Sequence, residues 1–243
     1  MRRQQSFDNN DKKQQQKPPQ QQPKKEHKYK PITLVNENQI LYKQSLETNI
    51  LTIVTGPAGT GKTYLASVHA AELLKAGDID RIVLIRPYVD LNNRGIGFLK
   101  GGEEEKLWPY ALPMIEAIKV VLGSELFDEY LESGKIQIKA LSSIRGMSYN
   151  KSFLIADEMQ GTVPNEIQAL TTRIGKDSKL VIVGDTRQTD VKKTKENGLV
   201  YLKRIVETYP IRKTGVIEMT IKDVVRSGIV KDFVLAYEKE GWE

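Results

Sequence analysis

The sequence predicts a three-layer α/β domain, with helices on both faces of an open and mainly parallel sheet. Two patterns and one loop point there. From Pro31 onward strand-like apolar runs alternate with helical stretches, and most of the runs are unbroken in Val, Ile and Leu, as strands covered on both faces are. A glycine-rich loop joins the first run to the first helix.

In chain order the strands are LTIVT (51–55), RIVLI (81–85), KIQIKAL (135–141), SFLIA (152–156), KLVIV (179–183) and GVIEM (215–219). The helices are read from their ends. Residues 62–76 form one that stops at Gly77. Residues 104–122 have a helical composition, but Pro109 and Pro113 predict a break or kink. Residues 163–174 begin with Thr162 as N-cap and Pro164 in the first turn, and stop at Gly175. Residues 223–240 form the last helix, starting at Asp223. No internal repeat is visible.

The 243 residues, 39% of them hydrophobic, suffice for a sizeable core. No apolar run reaches the length of a membrane span, and the N-terminus is too polar for a signal peptide. The absence of cysteine excludes disulfides, thiolate zinc sites and cysteine nucleophiles. A cytoplasmic protein without a membrane partner is expected. Charge is unevenly placed. Residues 1–30 carry nine Lys/Arg against three Asp/Glu, which equals the net charge of +6 for the whole chain, so residues 31–243 are neutral by formal count. This opening is rich in Gln and Pro and nearly free of apolar residues, which predicts a disordered basic tail over 1–30 ahead of one domain over 31–243. Such a tail can bind RNA or DNA phosphates, or serve only to solubilise.

The segment Gly56-Pro57-Ala58-Gly59-Thr60-Gly61-Lys62-Thr63 fits G-x-x-x-x-G-K-[ST] between a strand and a helix. Glycines let backbone N–H groups and a helix N-terminus close on anionic oxygens. Lys62 would then reach the β- and γ-phosphates of a nucleoside triphosphate, and Thr63 would place its hydroxyl on Mg²⁺; Tyr64 follows as a further nucleotide contact. The strand 152–156 delivers Asp157 and Glu158 to its C-terminal end, where open α/β sheets bind ligands. Asp157 is the metal candidate and Glu158 the general base. After the next strand, Gly184, Asp185 and Gln188 can set an amide against the γ-phosphate or the attacking water, although an ordinary polar turn reads the same way.

Six blocks in order, GPAGTGKTYLA (56–66), RIVLIRPYV (81–89), IGFLKG (96–101), IRGMSYNKSFLIADEMQ (144–160), TRIGKDSKLVIVGDTRQTD (172–190) and DVVRSGIV (223–230), resemble those of the PhoH-like ATPases over residues 37–240. This resemblance implies a P-loop NTPase core similar to the first motor domain of superfamily 1 helicases. It implies Mg²⁺-dependent ATP hydrolysis with a proposed role in RNA or DNA unwinding. Asn38-Gln39 match the glutamine that contacts adenine in such motors, which favours ATP; a surface polar pair is the plain alternative. Arg86 and Tyr88 follow the second strand where such motors touch a nucleic acid strand, with Arg94 a further phosphate contact; packing of Tyr88 and pairing of the arginines with acids is equally open.

Superfamily 1 motors set a second domain and its arginine across the ATP, and this sequence shows only one domain. An arginine finger is worth about 10³-fold or more in rate. A ring-like homo-oligomer, hexameric as the resemblance implies, is therefore expected to supply it from a neighbouring subunit, with Arg226 the first candidate and Arg145 the second. The competing readings are a small-molecule kinase and an ATP-gated binding module without motor activity.

Overall fold

A computed structural model describes residues 27–87, 102–187 and 196–240. Among them, six strands pair in parallel throughout: β1 (Leu51–Thr55), β2 (Arg81–Arg86), β3 (Ile136–Ala140), β4 (Ser152–Ala156), β5 (Lys179–Gly184) and β6 (Thr214–Glu218), in the order β3-β2-β4-β5-β1-β6. The helices are α1 (Glu37–Thr48), α2 (Lys62–Ala76), α3 (Glu103–Leu122), α4 (Ser124–Glu132), α5 (Pro164–Thr171), α6 (Gly198–Thr208) and α7 (Gly228–Lys239).

The unbroken apolar runs are explained by a core on each face. In β2, Ile82 and Leu84 belong to one cluster and Val83 and Ile85 to the other, as the two-residue period of a strand requires. The first cluster includes Tyr42 of α1, Leu65 and Val68 of α2, Ile115 and Ile118 of α3, and Phe127 of α4. The second includes Ile167 of α5 and Leu199 and Leu202 of α6. Fully burying one such side chain contributes about 1.5–3 kcal/mol.

This layering also locates the ligand site. The helix after β1 covers one face and the helix after the adjacent β5 covers the other, so a crevice opens between the C-terminal ends of β1 and β5. Strand β4 lies on the far side of β5, and being parallel it ends at the same edge.

Several expectations are corrected. Residues 103–122 form one α-helix through both Pro109 and Pro113. Eight of its residues are buried, and tertiary packing outweighs the lost N–H donors. The N-cap of α5 is Val163 rather than Thr162, whose hydroxyl donates instead to the Met159 carbonyl at 2.6 Å. That helix ends at Thr171, because Tyr149 and Ile174 form a β-bridge beyond it. Residues 221–223 are a 3₁₀ turn, and α7 starts only at Gly228, leaving Arg226 in the loop ahead of it. Three helices, α1, α4 and α6, were not anticipated. Residues 27–30, assigned to the tail by composition, lie against the domain: Tyr29 donates to Glu72, and the His27 ring meets the Val120 carbonyl at 2.9 Å. The rest of the tail is outside the described residues.

Candidate active site

The loop between β1 and α2 rises at the crevice and is held from behind by backbone and buried side chains. Gly56, Gly59 and Gly61 all have positive φ, at 137°, 84° and 87°. Gly56 also has no room for a side chain, since a Cβ there would stand 2.2 Å from the Met219 carbonyl oxygen. Thr60 donates its hydroxyl to the Pro57 carbonyl at 3.1 Å. The Val225 amide donates to the Gly59 carbonyl at 3.0 Å, and the Tyr42 hydroxyl to the Lys62 carbonyl at 3.1 Å.

Gln39 belongs to this support. Its amide nitrogen donates to the Thr60 carbonyl at 3.1 Å and its oxygen accepts from the Val35 amide at 3.0 Å. Gln39, expected at the adenine, braces the loop from behind here and is not among the residues that line the cavity. Asn38 likewise turns to Asp223, at 2.8 Å.

A cavity of about 540 Å³ lies in front of the loop, bordered by Gly59, Lys62, Thr63, Asp157, Glu158 and Asp185. Lys62 is only 9% exposed and donates to the Gly56 and Pro57 carbonyls at 2.6 and 2.7 Å. Burial pushes its ammonium below the usual lysine range, and Asp185 and Asp157 oppose that shift. Ala58 and Tyr64 line the same cavity. Across it, the Thr63 hydroxyl donates to Asp157 Oδ1 at 3.0 Å. The two residues read as metal holders from distant parts of the sequence therefore meet.

The other Asp157 oxygen accepts from Arg86 at 2.8 Å, and the same guanidinium nitrogen is 3.7 Å from Glu158 Oε1. Burial raises the Asp157 carboxyl even so, because the loss of water outweighs the pull of Arg86. Arg86, for which a nucleic acid contact and pairing with acids are equally open in the sequence, stands inside the cavity paired with acids. Tyr88, Arg94 and Gln188 lie outside the described residues.

Glu158 follows with φ of 59°, a left-handed conformation that is uncommon for a residue with a side chain and that clusters at functional sites. Its side chain is 51% exposed. Gln160 was not read as a site residue. Its side chain is buried, donates to the Glu158 carboxylate, and accepts from the Asp185 amide at 3.3 Å; its carbonyl accepts from Asn197 at 2.7 Å. It thereby ties the acid after β4 to the end of β5.

Of the two candidate finger arginines, Arg226 lines the cavity of its own chain, with its Cγ 2.9 Å from where a Gly59 Cβ would stand. It lies beside the phosphate loop of its own chain. Arg145 is exposed after the 3₁₀ turn Leu141–Ile144 and does not line this cavity.

The family model for PhoH-like proteins matches residues 31–238. A PhoH-like protein of Bacillus subtilis is 38% identical over 216 residues, covering 89% of this chain and 67% of the relative. Protein PhoH of Escherichia coli is 31% identical over 210 residues, covering 85% of this chain and 58% of the relative. The chain thus spans 58% to 67% of the length of these relatives. Among solved structures, it is similar to the large terminase of a thermophilic bacteriophage in complex with ADP, with a TM-score of 0.46 and 12% identity over 82% of this chain and 48% of that one. It is also similar to the Pif1 helicase of Candida albicans, with a TM-score of 0.38 and 19% identity over 78% of this chain and 41% of that one. Matched by the family model across nearly the whole described domain, this protein belongs to the PhoH-like family.

Proposed function

We propose that the chain binds ATP with Mg²⁺ in this cavity and hydrolyses it, and that an assembly of several copies couples the reaction to RNA or single-stranded DNA. The observation that carries the first part is the 3.0 Å contact of Thr63 with Asp157 beside the buried Lys62. One hydroxyl and one carboxylate, leaving the remaining positions to phosphate and water, suit the donor set of Mg²⁺. The metal would supply charge neutralisation at the β- and γ-phosphates.

The chain's own groups do the rest. Loop amides and the α2 N-terminus receive the phosphates, and Lys62 leaves the Gly56 and Pro57 carbonyls to meet them. Glu158 accepts the proton of the water whose oxygen attacks the γ-phosphorus, and ADP departs with the bridging oxygen. Arg226, beside Gly59, acts from the same chain on the transferred group.

Self-association is supported by α7. Ile229 and Phe233, one turn apart on α7, are 66% and 54% exposed, and Val225 at the cavity rim ahead of the helix is 50% exposed. A second copy seated there would close the cleft. Coupling to a nucleic acid is supported by the charge of residues 1–30, nine Lys/Arg against three Asp/Glu.

Phosphate release from ATP in Mg²⁺, measured with and without single-stranded RNA and DNA and beside the mass in solution, tests all three parts. Lys62→Ala should abolish release, and Glu158→Gln should cut it by about 100-fold or more while ADP still binds. Release unaltered by Lys62→Ala overturns the hydrolytic reading. A monomer at working concentration, or a rate indifferent to every strand, removes the corresponding part.

A further inference from the structure

Arg86 brings a positive charge to a cavity that already has Lys62 for the phosphates. It is placed there by strand order. Strand β2 lies beside β4, the Asp157 amide donates to the Ile85 carbonyl at 3.0 Å, and Arg86 is thus held one residue away from the acid pair. Its side chain is nearly as buried as that of Asp157, at 13% and 6% exposed, so the pair is sheltered from water. Thr63 takes one oxygen of Asp157 and Arg86 takes the other. Each oxygen of the carboxylate read as the metal holder is therefore engaged by a side chain of the chain itself.

A buried carboxylate without a cation is strongly disfavoured, and the guanidinium provides one. The geometry points to Arg86 as an internal counter-ion: it neutralises Asp157 while the cleft lacks metal, and yields that carboxylate when metal-bound nucleotide is seated. Glu158 Oε1, 3.7 Å from the same nitrogen, is the acid that receives it. Arg86 is in this sense a positioning residue, exchanged between the metal's carboxylate and the general base. This rests on the nucleotide reading above.

The exchange makes Arg86 matter most where metal is absent. Calorimetric titration of ADP into the whole chain, in EDTA and in Mg²⁺, reads this directly without turnover. Arg86→Gln should weaken ADP binding in EDTA by about tenfold or more, because an uncompensated Asp157 then faces the phosphates, and change it in Mg²⁺ by less than about threefold. The ratio of the two affinities rises accordingly. Arg86→Lys, which keeps the charge, should retain the affinity in EDTA within about threefold. Thermal unfolding of each variant checks the fold, and Arg86→Lys decides should Arg86→Gln not fold. An equal loss in both buffers by either variant, or no change by Arg86→Gln in either buffer, overturns the inference while leaving the nucleotide site standing. A wild-type chain that binds ADP in neither buffer overturns the nucleotide reading and this inference with it.

Discussion

The phosphate loop and the acid pair face each other across one cleft, yet the loop is fixed by backbone packing and the acids are held by exchangeable side-chain pairs. Behind the loop stand the Met219 carbonyl and the Val225 amide, both backbone groups that cannot leave without moving an element. Around Asp157 and Glu158 stand Thr63, Arg86 and Gln160, each of which can change partner by a rotamer. The difference assigns the two halves separate tasks. One is a preformed cradle, and the other is a set of charges that rearranges with its occupant.

The sharpest way to break the comparison is at Gly56. A Cβ there lies 2.2 Å from the Met219 carbonyl oxygen, and φ of 137° is foreign to a side chain. Gly56→Ala should lower stability on the order of 3 kcal/mol and abolish ADP binding, since backbone cannot give way as a flexible side chain would. Urea unfolding and ADP titration check both. A variant as stable as the wild type would mean that the loop is not locked from behind.

A smaller effect is expected at Gln160, on the exchangeable side. Gln160→Ala removes the tie between Glu158 and the Asp185 amide, so the base loses its orientation while the cradle is untouched. Turnover should fall roughly 10- to 100-fold, with ADP affinity within about threefold of wild type. Equal losses in turnover and in affinity would show that the two halves are one rigid unit.

The same difference explains what the sequence could disclose. The cradle is written in eight consecutive residues at the junction of a strand and a helix, so local spacing reveals it, and Asp157-Glu158 follows from an apolar run ending in acids. The place of Arg86 depends on β2 lying beside β4, and that of Gln160 on β4 lying beside β5; neither adjacency leaves a mark in local spacing. Helix α1 was hidden for another reason. Its buried face is Gln39, Tyr42, Ser45 and Leu46, only two of them strongly apolar, and its burial serves the loop as much as the core. In α3 the prolines do not end the helix, because burial of eight of its residues outweighs two missing donors.

The smallest expected effect sharpens the comparison by leaving both halves of the cleft alone. His69 of α2 is buried behind the cradle, edge-on to Phe153 at 5.8 Å, with Lys43 Nζ 2.8 Å from its Nδ1. An ammonium has only donors, so Nδ1 accepts and the ring proton sits on Nε2, which is buried without a partner. Burial and then the Lys43 charge push the ring down from 6.5 to about 4, with Glu72 opposing. A folded value below the unfolded one means that the unfolded chain takes up the proton first. The stability tied to neutral His69 is therefore complete above pH 6.5 and is lost as pH falls toward 4, at about 1 kcal/mol per pH unit. His69→Leu removes the titration while Lys43 keeps Glu72 at 3.0 Å. Urea unfolding at pH 7, 6 and 5 should then show the wild type losing ground to the variant with each step of acid. Parallel curves would place the charge on His69 in the folded chain and undo the tautomer argued from Lys43.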